Sequence, residues 1–195
     1  MKLLALALTA LLPCLAASSD ADPGKSLGSP SAPIRIEVFS DFECPACKGL
    51  HEQILPLVFK DYVITGKVYL VSREFPLRMH RYSREAAGYA TAAARLGKYP
   101  QVTDALFKNQ VAWAASGKVW DTVAGVLTPA EAKKVEALAK DPSVLSAIQR
   151  DTDAGMAAGI NQTPTMIVTH GASRFPVAGS VNYNLLRSML DGLLK

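Results

Sequence analysis

Phe39-Ser40-Asp41-Phe42-Glu43-Cys44-Pro45-Ala46-Cys47 is the stretch on which the fold turns. Just before and into it, Ile34-Arg35-Ile36-Glu37-Val38-Phe39 alternates apolar and polar side chains and ends in consecutive apolar residues, the pattern of a strand entering a sheet core. Beyond it, Cys47, Leu50, Ile54, Leu57, Val58 and Tyr62 recur at three- and four-residue intervals, which is helix periodicity. Ser40 to Glu43 turns the chain between the two. Pro45 suits the first helical turn, where its missing N–H costs nothing, whereas Pro56 is expected to kink the same helix. After Thr65-Gly66, Lys67-Val68-Tyr69-Leu70-Val71-Ser72-Arg73 reads as a second strand, so strand, helix and strand suggest a right-handed βαβ unit.

Further along, residues 81–160 hold no strand pattern and are rich in alanine. Helix signals repeat instead. Tyr82 to Leu96 stops at Gly97, Val102 to Ser116 stops at Gly117, Thr128-Pro129-Ala130-Glu131 has capping-box spacing, and Asp141-Pro142 starts a helix running toward Gly155 or Gly159. About four helices are expected, with Trp113 and Trp120 in their core. Thr163-Pro164-Thr165 then leads into Met166-Ile167-Val168-Thr169, a turn at His170-Gly171-Ala172-Ser173, and Arg174-Phe175-Pro176-Val177, which together read as a hairpin. Asn182 to Leu194 closes as a helix with Leu185, Leu186, Met189, Leu190 and Leu193 on one face. The whole is an α/β chain: βαβ, helices, ββα.

Working back to the N-terminus, residues 1–17 read as a signal peptide, with Lys2 ahead of an apolar run from Leu3 to Leu12. Acylation of Cys14 is the alternative, disfavoured because Pro13 stands where a small residue is wanted. Residues 18–33 contain ten Ser, Pro or Gly and no apolar periodicity, so a flexible linker is expected there. Of the 195 residues, 49% are hydrophobic and 19% charged, enough apolar material for one soluble domain and too much for a disordered or collagen-like chain. No apolar run reaches about 18 residues, which excludes a multi-span membrane protein. The formal charge of +4 falls to +3 when Lys2 leaves with the signal, and without a basic cluster nucleic acid is not expected as a partner. An extracytoplasmic, for example periplasmic, location follows from the signal. It leaves Cys44 and Cys47 as the two cysteines in an oxidising compartment.

Two thiols spaced as Cys44-Pro45-Ala46-Cys47 can close a disulfide across one helical turn, with the first at the helix N-terminus. The partial positive charge and free N–H groups there favour a thiolate and lower an exposed cysteine into a range of about 3.5–7.5. A low-pKa thiol is both a usable nucleophile and a good leaving group, which is the chemistry of thiol–disulfide exchange. An inert disulfide is the plainer reading, but closing so short a loop removes little unfolded-state entropy. Zinc is poorly served, since His51, His80 and His170 show no ligand-like spacing. Two thiolates assisted by Met79 or His80 would suit Cu(I), which keeps a non-enzymatic metal-binding or chaperone module open. His51 is expected on the surface.

The Phe39 to Cys47 motif, the strand ending Arg73-Glu74-Phe75-Pro76-Leu77 with His80 shortly after, and Thr163-Pro164-Thr165 before a hairpin occur in an order that resembles the DsbA-like thiol:disulfide oxidoreductases. The resemblance covers about residues 34–195. It implies a thioredoxin fold built from 34–80 and 161–195, with 81–160 as an inserted all-helical domain. It also implies that Cys44 is the exposed nucleophile, Cys47 the buried resolving thiol, and Thr163-Pro164 a cis-proline loop opposite them that binds substrate. Such an enzyme acts as a monomer, needs no cofactor or metal, oxidises reduced exported proteins, and is reoxidised by a quinone-linked membrane protein of the DsbB or VKOR type. A reductase or isomerase stays open. Thioredoxin-like proteins often bury an acid six residues before the nucleophile; Val38 stands there, with Glu37 expected to face the other side of the strand. Asp41 and Glu43 are expected close enough to oppose a thiolate.

Overall fold

The computed structural model describes residues 22–195, so residues 1–17, read as a signal peptide, and Cys14 lie outside the described residues. Two residues, Ser26–Leu27, form β1; Ile34–Ser40 is β2. A helical run from 45 to 63 follows, made of α1 (Pro45–Gly49), a π-helical stretch (Leu50–Ile54), α2 (Leu55–Val58) and a second π-helical stretch (Phe59–Val63). Pro56 therefore does not simply kink the run. It has no N–H to give and its ring crowds the carbonyl one turn back, and the wider π spacing ahead of it relieves both. Next comes β3 (Val68–Glu74), then six helices: α3 (Ser83–Ala94), α4 (Tyr99–Lys108), α5 (Gln110–Ser116), α6 (Val119–Ala124), α7 (Pro129–Ala139) and α8 (Pro142–Ala157). The chain closes with β4 (Thr165–His170), β5 (Ser173–Ala178) and α9 (Tyr183–Leu193).

The strands form one sheet in the order β1-β3-β2-β4-β5. β2 runs parallel to β3, as a βαβ connection requires, and antiparallel to β4, which closes a hairpin with β5. Its central place explains its composition: Ile34, Ile36 and Val38 pack with Leu50, Val58, Leu186 and Leu190 on one face, and Phe39 packs with Phe75, Ile160 and Ile167 on the other. Pro176 is tolerated in β5 because that strand is at the sheet edge.

Residues 22–33, expected as a linker, fold against the rest. Ser26–Leu27 pairs with Val71 and Leu70 of β3. Lys25 is buried, its Nζ lying 2.5 Å from Asp151 Oδ2 and 3.7 Å from Glu74 Oε1. Asp22 meets Arg95 at 3.5 Å. Composition could not reveal this, because the segment is held by one buried charge and backbone pairing rather than by an apolar face. The single helix expected over 102–116 is split at Asn109, whose side chain bonds back to the Ala105 carbonyl at 2.9 Å and competes with the helical ladder. α6, not singled out in the sequence, contributes Val119 and Val123 to the helical core. The capping box at Thr128 and Glu131 is formed. In α9 the apolar stripe runs through Leu186 and Leu190 with Met189 and Leu193 beside it, whereas Leu185 is 71% exposed. Leu185 precedes the buried pair by a rotation of about 100° and falls off the stripe.

The helical block has its own core of Ala86, Ala87, Ala90, Leu106, Trp113, Val123 and Ile148, and Phe42, Cys44 and Cys47 are part of that cluster. The two cysteines thus sit at the seam between sheet and helical block. Trp120 stacks on Tyr89 with ring centroids 5.1 Å apart.

Candidate active site

The turn after β2 is built by Asp41. Its carboxylate accepts the Glu43 N–H (2.8 Å), the Leu77 N–H (2.7 Å) and the Ser83 hydroxyl, and meets His80 Nδ1 at 2.9 Å. Glu43 Oε2 in turn accepts the Tyr82 N–H at 2.6 Å. Both acids, expected to oppose a thiolate, are instead engaged in fastening the segment after β3 to the turn before Cys44. Toward the sulfurs Asp41 presents its backbone N–H, which donates to Cys47 Sγ at 3.4 Å.

Cys44 caps α1 with extended backbone (φ −76°, ψ 120°), and Pro45 opens the first turn. Its carbonyl accepts the Cys47 N–H (3.1 Å), the Lys48 N–H (3.2 Å) and Gln110 Nε2 (3.0 Å). Gln110 also donates to the Phe42 carbonyl at 2.7 Å, so a buried amide from α5 clamps the loop from the helical side. The break at Asn109 that divides 102–116 immediately precedes this residue. From the other side comes the loop before β4, where the Thr163–Pro164 peptide is cis and the Thr163 carbonyl accepts the Cys44 thiol at 3.4 Å. Thr163 Oγ1 is buried and has no hydrogen-bond partner among the described residues. Cys44, read as exposed, retains 8% exposure against 1% for Cys47, because Thr163 and the helical block cover most of it.

This surrounding separates two chemically identical groups. Cys44 is lowered to about 5, chiefly by a hydrogen bond from Cys47, with burial opposing and with Thr163 and the backbone N–H groups of Cys47 and Ala46 lowering it further. Cys47 is driven far above the thiol range by the same hydrogen bond to Cys44 and by burial. Both are free thiols here.

Behind Cys47 lies a cavity of about 210 Å³ lined by Cys47, Ser40, Ser72, Tyr99, Lys25 and Phe107 among others. At its far end the Tyr99 hydroxyl donates to Glu74 Oε1 at 3.0 Å. Glu74 is fully enclosed, and burial raises its carboxyl to about 7 despite the Lys25 ammonium. Glu37 faces away from this cavity, pairing with Arg73 at 2.8 Å; burial works against its charge, yet the Arg73 hydrogen bond and the Arg35 charge keep it below the ordinary carboxylate range. His51 is held by the helical block, stacked on Phe107 at 4.6 Å and bonded to Asp104 at 2.7 Å. Among the described residues no group of three or more His, Cys, Asp or Glu is placed to hold a metal.

Sequence reading missed Gln110, Tyr99, Glu74 and the Lys25–Asp151 pair. A signal for the last was present: Val144, Ile148, Asp151 and Gly155 follow one another at four, three and four residues, so Asp151 lies on the apolar stripe of α8.

A mixed sheet with a dithiol at the start of the helix after its central strand, a cis-proline loop facing that dithiol and a helical insertion after β3 define the thioredoxin fold in its DsbA-like elaboration. The sequence model of the family described as Thioredoxin matches residues 20–191, and the chain belongs to that family. Among solved structures, alpha-DsbA1 of Wolbachia pipientis superposes with a TM-score of 0.72 at 20% identity, covering 87% of this chain and 89% of that one. Oxidised BdbD of Bacillus subtilis gives 0.72 at 23% identity, covering 88% and 93%. A probable disulfide bond formation protein D of Bacillus cereus is 40% identical over 52 residues, which span 27% of this chain and 24% of that protein.

Proposed function

We propose that the protein is an exported thiol:disulfide oxidoreductase that donates a Cys44–Cys47 disulfide to reduced, folding proteins. The observation that carries this reading is the opposed pair of thiols: Cys44 favouring the thiolate at the edge of the surface, Cys47 shielded and favouring the thiol. A substrate thiolate attacks Cys44 Sγ, the S–S bond breaks, and its electron pair goes to Cys47. Cys47 takes up a proton, for which the cavity past Ser40, Ser72 and Tyr99 to Glu74 is a route. A second substrate thiolate then attacks the substrate sulfur of the mixed disulfide and expels Cys44, a good leaving group because its thiolate is stable. Two electrons have passed from substrate to enzyme.

Thr163 and Pro164 hold the substrate side of this exchange. Proline has no N–H, so it leaves the approach to sulfur open, and the Thr163 backbone offers an extended chain a pairing edge. Residues 34–80 with 161–195 form the catalytic unit and 81–160 the inserted one. Reoxidation falls to a quinone-linked membrane oxidase of the DsbB or VKOR type in the extracytoplasmic space. No helix among the described residues is long and apolar enough to cross a membrane.

The test is oxidative refolding of reduced ribonuclease A by the oxidised protein. Wild type should restore ribonuclease activity, Cys44→Ser should be inert, and Cys47→Ser should trap mixed disulfides. Refolding that proceeds equally well with Cys44→Ser sinks the proposal.

A further inference from the structure

Among the described residues the two most exposed large apolar side chains are Met79, at 82%, and Val111, at 78%. Both sit on segments that are anchored to the loop carrying Cys44. Met79 lies between Leu77 and His80, each bonded to the Asp41 carboxylate, and Val111 follows Gln110, whose amide holds the Cys44 carbonyl. Exposed side chains of this kind are common singly, but two set on segments anchored to the same reactive loop can serve as a surface.

The exposed charges on these segments are mainly basic. Arg78, Arg81 and Lys108 are exposed and enter no ion pair among the described residues; Arg81 lies over the Tyr82 ring, 5.2 Å from its centre. The acids nearby are occupied or turned elsewhere. Asp41 is buried, Glu43 takes the Tyr82 N–H, Glu52 pairs with Lys48 at 3.1 Å, and Asp104 pairs with His51. Glu85, on α3, is exposed near the arginines and faces Tyr89.

We propose that these segments form a docking surface for extended, reduced polypeptides whose cysteine is flanked by apolar and acidic residues. The inference rests on the exchange reading above and names the substrate class it prefers. Apolar substrate side chains lie on Met79 and Val111, and substrate carboxylates meet Arg78, Arg81 and Lys108. Because Asp41 and Glu43 already fix the loop that carries Met79 and the arginines, little ordering remains for binding to offset. Charge complementarity of this sort acts mainly on the rate of encounter, which salt screens.

The experiment measures second-order oxidation rates of three dithiol peptides that share cysteines and apolar residues but carry Asp, Gln or Lys beside them. At low salt the Asp peptide should react about tenfold faster than the Lys peptide, and the ratio should shrink toward one as salt rises. Arg78→Glu with Arg81→Glu should reverse the ratio; using a ratio cancels any change in Cys44 reactivity itself. Met79→Ser with Val111→Ser should slow all three peptides while leaving the ratio in place. Equal rates for the three peptides with exchange otherwise intact would overturn the docking surface alone. Absence of exchange with every peptide would instead overturn the underlying oxidoreductase reading.

Discussion

Cys44 and Cys47 differ by three positions and behave as different functional groups, because one caps a helix beside the Thr163 loop and the other points into the seam. In the reduced protein, alkylation followed across pH with the site read by mass spectrometry should show Cys44 labelling with a midpoint near 5 and Cys47 protected until unfolding. Since the hydrogen bond from Cys47 is the largest influence on Cys44, Cys47→Ala should move that midpoint upward. An unchanged midpoint would mean that the helix start and the Thr163 loop suffice. These two cysteines and Thr163-Pro164 were legible as short contiguous motifs. Gln110 was not, since nothing local marks a glutamine whose partners, Phe42 and Cys44, lie more than sixty residues away in the chain.

At the level of elements, packing of α8 across the sheet depends on a residue too small to be noticed. A Cβ on Gly155 would lie 2.6 Å from Phe75 and 3.0 Å from Phe39, so the helix approaches the sheet only because that position is glycine. Gly155→Ala should lower stability by about 1–3 kcal/mol, read from denaturant midpoints, even though alanine is the better helix former. A stabilised variant would show that the two rings yield freely. Periodicity alone carried most elements here, including the split between strand and helix blocks. It failed where irregular geometry answers to tertiary demands: the π turns ahead of Pro56, the break at Asn109, and Leu185, which helical rotation carries off the buried stripe.

Across the whole molecule, a buried charge cluster joins the N-terminal segment, β3, α4 and α8, and the sequence disclosed little of it because its members, Lys25, Arg73, Glu74, Tyr99 and Asp151, are scattered along the chain. Glu74 makes the cluster pH-sensitive. Its folded pKa of about 7 lies above the ordinary 4.5, so its contribution to stability is fully present below about pH 4.5 and is lost as pH rises toward 7. The shift corresponds to about 3 kcal/mol. Thermal melts of Glu74→Gln against wild type should therefore favour the variant progressively from pH 5 to pH 8, with Lys25 still held by Asp151; parallel curves would place the Glu74 carboxyl outside this range.

The thiol pair extends the same linkage to redox state. A stabilised Cys44 thiolate favours the reduced protein, and at neutral pH the reduced form should melt at a higher temperature than the disulfide form. That contribution is held above the ordinary thiol range and shrinks as pH falls toward 5, so the difference in melting temperature should narrow in acid. The most direct measurement is the reduction potential of the Cys44–Cys47 couple, by equilibration with glutathione buffers at pH 7. An oxidising value is expected, well above the potential of about −270 mV of a reducing thioredoxin and short of about −120 mV for the strongest oxidants, because Ala46 supplies no histidine to the thiolate. A potential at or below about −270 mV would contradict it and make the protein a reductase.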